Sequence, residues 1–125
     1  MSPRSAEYMA EAHRRLRTAR AALGVDDPSG AVSAAYYAML YAARAALSEE
    51  DRSARTHAGA WGAFRETFVT TGRFPEETFR SGPYAQELRE AADYHARSPA
   101  PEVAESIAED AERFVAAISE MLGDD

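Results

Sequence analysis

Wound as a helix, residues 31–47, AVSAAYYAMLYAARAAL, leave almost no polar edge. Val32, Tyr36, Met39, Ala43 and Leu47 recur at helical spacing as an apolar stripe, and Ala35, Leu40 and Ala46 widen it. A helix that is apolar on most of its circumference must be covered from several sides. It therefore has to lie at the centre of other helices, and the remaining chain supplies them.

Periodicity and punctuation predict five helical segments and no strand. The first spans residues 3–23 and ends at Gly24, a residue suited to a helix C-terminus; Arg14, Arg15, Arg17 and Arg20 make it the most basic segment. The central helix spans residues 28–48, with Asp27 as its cap and Pro28 in its first turn. A third follows Thr56, a second capping residue, through Trp61, Phe64, Phe68 and Val69 to Thr71-Gly72, its aromatics spaced for a core. Residues 74–79 begin a fourth, which Gly82-Pro83 is expected to interrupt with a cap or a kink before residues 84–96. Beyond the break at Ser98-Pro99-Ala100-Pro101, the last helix carries Val103, Ile107, Ala111, Phe114, Ile118 and Met121 or Leu122 on one face, and acids on the other. The expected fold is all-α: an up-and-down bundle of four to five helices forming one domain over residues 1–125, with short connections that make sequential helices antiparallel.

Several function classes are excluded at this level. The chain has no cysteine, which removes disulfides and thiolate metal sites and suits a cytoplasmic protein. No apolar run approaches a membrane span, and Met1-Ser2-Pro3-Arg4 does not read as a signal peptide. Glu-x-x-His pairs for a carboxylate-bridged metal site are absent, as are a glycine-rich phosphate loop, His-Glu-x-x-His and Gly-x-Ser-x-Gly. No metal or cofactor is expected. The net charge of −7 is unevenly spread: residues 102–125 hold eight acids and one base, while residues 1–101 balance at thirteen of each. All the basic residues are arginines, whose planar guanidinium suits phosphate as well as carboxylate. Charge therefore argues against the last helix as a nucleic-acid face and leaves the others open.

Three stretches, AVSAAYYAMLYAARAAL at 31–47, RTHAGAWGAFRETFVTTGRF at 55–74 and LREAADYH at 88–95, resemble in this order and separation the small prokaryotic HEPN domains, in the branch marked by Arg-x-x-Ala-Asp-Tyr. The likeness spans about Leu16 to Leu122. It implies a dimeric helical bundle and, for many members, a metal-independent endoribonuclease that acts as a toxin beside a small nucleotidyltransferase antitoxin. The active motif it implies is an arginine, four to six residues, then a histidine. Arg89 and His95 satisfy that spacing, with Glu90 where active members often carry Asn, Asp or His.

The residue types suit RNA cleavage through the neighbouring 2′-hydroxyl. Histidine titrates near neutrality and moves protons. Arginine keeps its proton and clamps developing phosphate charge. Positions six apart stand roughly 120° around a helix, however, so Arg89 and His95 do not share a face. Catalysis by this pair is expected to require a two-fold dimer that brings two copies of the motif to one cleft. Arg89, Asp93 and Arg97 do share a face, and read equally as an exposed i, i+4 ladder. Asp93 either orients Arg89 or neutralises it. Tyr94 stacks a base, packs at a dimer seam or accepts a modification. His57 caps or packs the third helix, or supplies a second polar group to the cleft. Tyr37 and Tyr41 share a face apart from the Tyr36–Met39 stripe and read as core or dimer contacts, and His13 reads as exposed. The competing function is a non-catalytic module that binds a nucleotide or a nucleotidyltransferase partner.

Overall fold

A computed structural model describes residues 1–123 and contains five α-helices: α1 (Pro3–Gly24), α2 (Pro28–Glu49), α3 (His57–Phe64), α4 (Glu76–His95) and α5 (Pro101–Leu122). A π-helical turn, Arg65–Val69, extends α3. Among the described residues, no helix is long and apolar enough to cross a membrane.

As its apolar circumference requires, α2 is central and touches each of the other four helices. Val32, Tyr36, Met39, Ala43 and Leu47 are all buried, and seven further alanines of α2 join them. Small side chains there let neighbouring backbones approach closely. α1 runs antiparallel to α2, because its first turn meets the far end of the central helix. The Ser5 hydroxyl, fully buried, hydrogen-bonds to the Ala45 carbonyl at 3.2 Å and to Glu49 at 2.7 Å, and the Ser2 amide donates to Glu49 at 2.9 Å.

Both capping expectations hold. Asp27 accepts from the Gly30 amide at 3.0 Å, and Thr56 accepts from the Gly59 amide at 2.9 Å. The end of α1 differs slightly. Gly24 is its last helical residue, and the left-handed position falls two residues later at Asp26, φ 61°. Past α3, the π turn is closed by the Thr70 amide on the Arg65 carbonyl at 2.9 Å, and the chain reverses at Gly72, φ 81°.

For the fourth segment the cap is ruled out: Gly82-Pro83 lies inside one continuous helix, α4, with Pro83 in its interior. Gly82 is there because the Trp61 ring of α3 lies against its backbone: a Cβ at Gly82 would sit 2.5 Å from the ring. The Gly-Pro pair marks a close helix–ring approach that local punctuation cannot distinguish from a stop. Around it, Phe64 packs 4.9 Å from Phe68 and 5.0 Å from Phe74, while Phe114 of α5 lies 5.0 Å from Phe74. α5 buries Ile107, Ala111, Phe114 and Ile118 on its apolar face, as expected, together with Ala104, Ala108 and Val115.

Gly82→Ala is expected to destabilise the fold by about 1–3 kcal/mol through overpacking against Trp61. Gly24→Ala, at a helical position with nothing within 4 Å, should be neutral or slightly stabilising. Thermal or urea unfolding of the two variants beside the parent checks both.

Candidate functional site

The site is built on Tyr36, near the middle of α2 and fully buried. A buried phenol needs partners for its hydroxyl, and α3 provides two. His57 and Trp61 are four positions apart, so they share a face of α3. Trp61 Nε1 donates to Tyr36 Oη at 3.3 Å, and Tyr36 Oη lies 2.9 Å from His57 Nδ1. Thr56 fixes the start of that helix, and Gly59 is required beneath it, because a Cβ there would meet Thr56 Oγ1 at 2.8 Å.

This chain of bonds sets the histidine's tautomer. Indole N–H is a donor only, so the Tyr36 oxygen must accept from it. The network assigns the phenol's own proton to His57 Nδ1, the acceptor within its reach. His57 is thereby neutral, bare at Nδ1 and protonated at Nε2. Its proton affinity is depressed accordingly, first by burial and then by the positive charges of Arg89 and Arg44, with Glu90 opposing. Burial also pushes the Tyr36 phenol up, which keeps it protonated and able to donate.

Arg89 reaches the same aromatic pair from α4. Its guanidinium carbon lies 5.3 Å from the centre of the Tyr36 ring and 5.5 Å from that of Tyr37. The side chain is only 15% exposed, and Nη1 donates to Asp93 at 3.0 Å. Nε is buried with no hydrogen-bond partner among the described residues. A cation held over two ring faces gains roughly 0.5–2 kcal/mol, which offsets part of that desolvation. Arg89 is thus fixed in direction by tyrosine below and carboxylate beside it.

The other residues singled out by sequence fall differently. Asp93 does pair with Arg89, but no ion pair joins Asp93 to Arg97 among the described residues. α4 ends at His95, and Ala96 turns left-handed at φ 51°, which takes Arg97 off the helix face. His95 is the exposed last residue of α4 and makes no side-chain hydrogen bond among the described residues. Six positions separate it from Arg89, about 9 Å along the axis and roughly 120° around it. The two groups do not converge within one chain. Glu90 is exposed and accepts from Gln86 at 3.0 Å. Tyr94 is 76% exposed, so it does not pack into its own bundle. His13 is exposed on α1. Tyr37 and Tyr41 share a face, as expected, and that face is partly covered within the chain by Arg15, 5.3 Å and 5.6 Å from the two rings.

What sequence reasoning missed is the convergence of Tyr36, Tyr37 and Arg44 on this cluster. Tyr36 read as part of the apolar stripe and Tyr37 as a core or dimer contact, and Arg44 was not singled out. The available signal was the His57–Trp61 spacing, which aims two polar ring atoms at one buried hydroxyl.

The chain is thus a five-helix bundle with an arginine and an imidazole gathered on a tyrosine pair. The chain belongs to the HEPN domain family, whose model matches residues 5–121. It is similar to UPF0332 protein glr0978 of Gloeobacter violaceus, 34% identical over 94 residues that span 75% of each chain. It is also similar to a Methanocaldococcus jannaschii protein named "Putative toxin MJ0605", 38% identical over 92 residues, which cover 74% of this chain and 69% of that one.

A pH prediction follows from His57. Its folded proton affinity lies below the unfolded value, about 6.5, so the unfolded chain binds more protons and stability rises with pH. The contribution is fully present above about pH 6.5 and is lost as pH falls from there toward the depressed folded value. His57→Gln should flatten the stability profile in that window. Melting temperatures of parent and variant at closely spaced pH values between the carboxylate and histidine ranges measure it.

Proposed function

We propose that this protein is a metal-independent endoribonuclease of the HEPN family, acting as the toxin of a two-component system. The carrying observation is Arg89, a cation immobilised over Tyr36 and Tyr37 and paired on only one side, by Asp93 at 3.0 Å. A preorganised, partly desolvated guanidinium is the group that a developing phosphorane requires. His95, exposed at the end of the same helix, supplies the group that moves protons.

In this reading the RNA's own 2′-hydroxyl attacks the adjacent phosphorus. Its proton passes to a general base, and Arg89 meets the charge that builds on the phosphorane. The P–O5′ bond breaks as the 5′-oxygen takes a proton from a general acid. His95 fills one of these two roles and water the other. The products are a 2′,3′-cyclic phosphate and a free 5′-hydroxyl. Because Arg89 and His95 face different directions in one chain, a homodimer brings the arginine of one copy to the histidine of the other. Tyr94, exposed beside His95, is available to stack a base or to line the seam. Asp93 orients Arg89, and Glu90 and His57 flank it. The relative named as a toxin supports the toxin role, and the partner expected with it is a nucleotidyltransferase antitoxin.

The separation of Arg89 and His95 favours a second reading if no dimer forms: a non-catalytic HEPN module that binds a nucleotide or the nucleotidyltransferase itself. RNA would then survive incubation, and a nucleotide or the co-expressed partner would raise the melting temperature.

Purified protein should cleave single-stranded RNA in EDTA. Arg89→Gln and His95→Ala should each slow cleavage by roughly a hundredfold or more, with helicity and oligomeric state retained. An equimolar mixture of the two inactive variants should regain part of the activity, because one of the two sites in a mixed dimer is intact. Undiminished cutting by His95→Ala would remove His95 from the reaction, and no recovery on mixing would place the site within one chain.

A further inference from the structure

His57 lies outside the Arg89-to-His95 pairing, yet it is the histidine that the fold brings to Arg89. Its ring is 5.6 Å from the Tyr36 ring and 5.9 Å from the Tyr37 ring, the two rings that also carry the Arg89 guanidinium. Three helices thus place an imidazole and a guanidinium on one aromatic platform. Nδ1 is turned inward to the Tyr36 hydroxyl at 2.9 Å. The two nitrogens lie on opposite sides of an imidazole, so Nε2–H points away from that buried hydroxyl. Among the described residues it has no hydrogen-bond partner.

We propose that His57 is a phosphodiester-binding residue, whose Nε2–H donates to a non-bridging oxygen of the RNA phosphate that Arg89 holds. The ligand's chemistry follows from the groups present. Arg89 offers fixed charge with Nη1 taken by Asp93, His57 offers a neutral donor, and the two tyrosine rings lie against both. An oxyanion with at least two acceptor oxygens matches that set, and a phosphodiester is such a group. A neutral donor also suits this place, because burial first, and then the charges of Arg89 and Arg44, disfavour a further cation at His57. The Trp61–Tyr36 relay holds the donor in direction, so little orientational freedom remains to be lost on binding.

This inference rests on the ribonuclease reading in that RNA supplies the phosphate and Arg89 holds it; it does not depend on His95 or on turnover. Its test is therefore binding, kept apart from cleavage. A single-stranded 2′-O-methyl RNA oligonucleotide lacks the attacking hydroxyl and serves as the probe, titrated in EDTA with fluorescence anisotropy. His57→Phe keeps a ring on the tyrosine pair and removes the donor. His57→Gln keeps an amide N–H near the position of Nε2. Binding should weaken about tenfold or more for His57→Phe, the loss of one hydrogen bond to a charged group, and should stay within a few-fold of the parent for His57→Gln.

In the parent protein, the His57 Nε2–H resonance should shift on adding the oligonucleotide, a readout independent of how either variant folds. Equal binding by His57→Phe and the parent, or an unmoved resonance at saturation, would overturn the proposal and leave the ribonuclease reading intact. Weakened binding by His57→Phe alongside normal cleavage by His95→Ala would uphold His57 and overturn the role of His95. Failure of the parent to bind the oligonucleotide at all would overturn the proposal, while cleavage of unmodified RNA in EDTA decides the ribonuclease reading separately.

Discussion

The Tyr36 hydroxyl is the point at which fold and site become the same object. It sits on the most buried helix, accepts from Trp61 and faces His57, while the ring beneath it supports Arg89. Remove its partners and a buried polar group is left unsatisfied, at a cost of about 1–3 kcal/mol. α2 cannot contribute a polar atom at that depth unless α3 arrives in one register. The same register carries Trp61 onto Gly82, which fixes where α4 lies and hence where Arg89 projects. The position of the functional cation thus depends on packing between the two preceding helices.

Magnitudes separate what holds the bundle from what decorates it. Each large apolar side chain buried in the Phe64–Phe68–Phe74–Phe79–Phe114 cluster contributes roughly 1.5–3 kcal/mol. The exposed pairs, such as Arg65 with Glu76 at 2.8 Å and Arg73 with Glu50 at 2.8 Å, contribute at most about 1 kcal/mol each. Arg20, which bridges Glu105 at 2.9 Å and Glu112 of α5, is the best placed of the surface cations, yet it too is exposed. The acidic outer face of α5 is therefore partly neutralised by α1. Stability rests on the apolar interior, and Arg89 is unusual among the arginines in being drawn toward it.

Much of the architecture was legible because its causes are local. Asp27 and Thr56 cap helices through bonds to amides three positions on, and the α2 and α5 stripes are periodic in sequence. The features that escaped have distant causes. Gly82-Pro83 looked like a break because Trp61, twenty-one positions earlier, is invisible to local punctuation. The Asp93–Arg97 rung failed because α4 ends in a left-handed alanine, a residue that carries no such signal. Arg89 and Asp93 stood out as a charged pair four apart. Tyr36 did not, since a buried tyrosine in an apolar stripe reads as core until the partners of its hydroxyl are known.

The Tyr36-centred network makes a direct statement about one proton. Long-range proton–nitrogen NMR of the His57 ring in the intact protein, recorded across the neutral range, reads it. The account predicts a ring protonated at Nε2 and bare at Nδ1, persisting to pH values below those at which an unperturbed histidine becomes charged. A proton on Nδ1, or ordinary titration to the imidazolium, would contradict it and detach His57 from Tyr36.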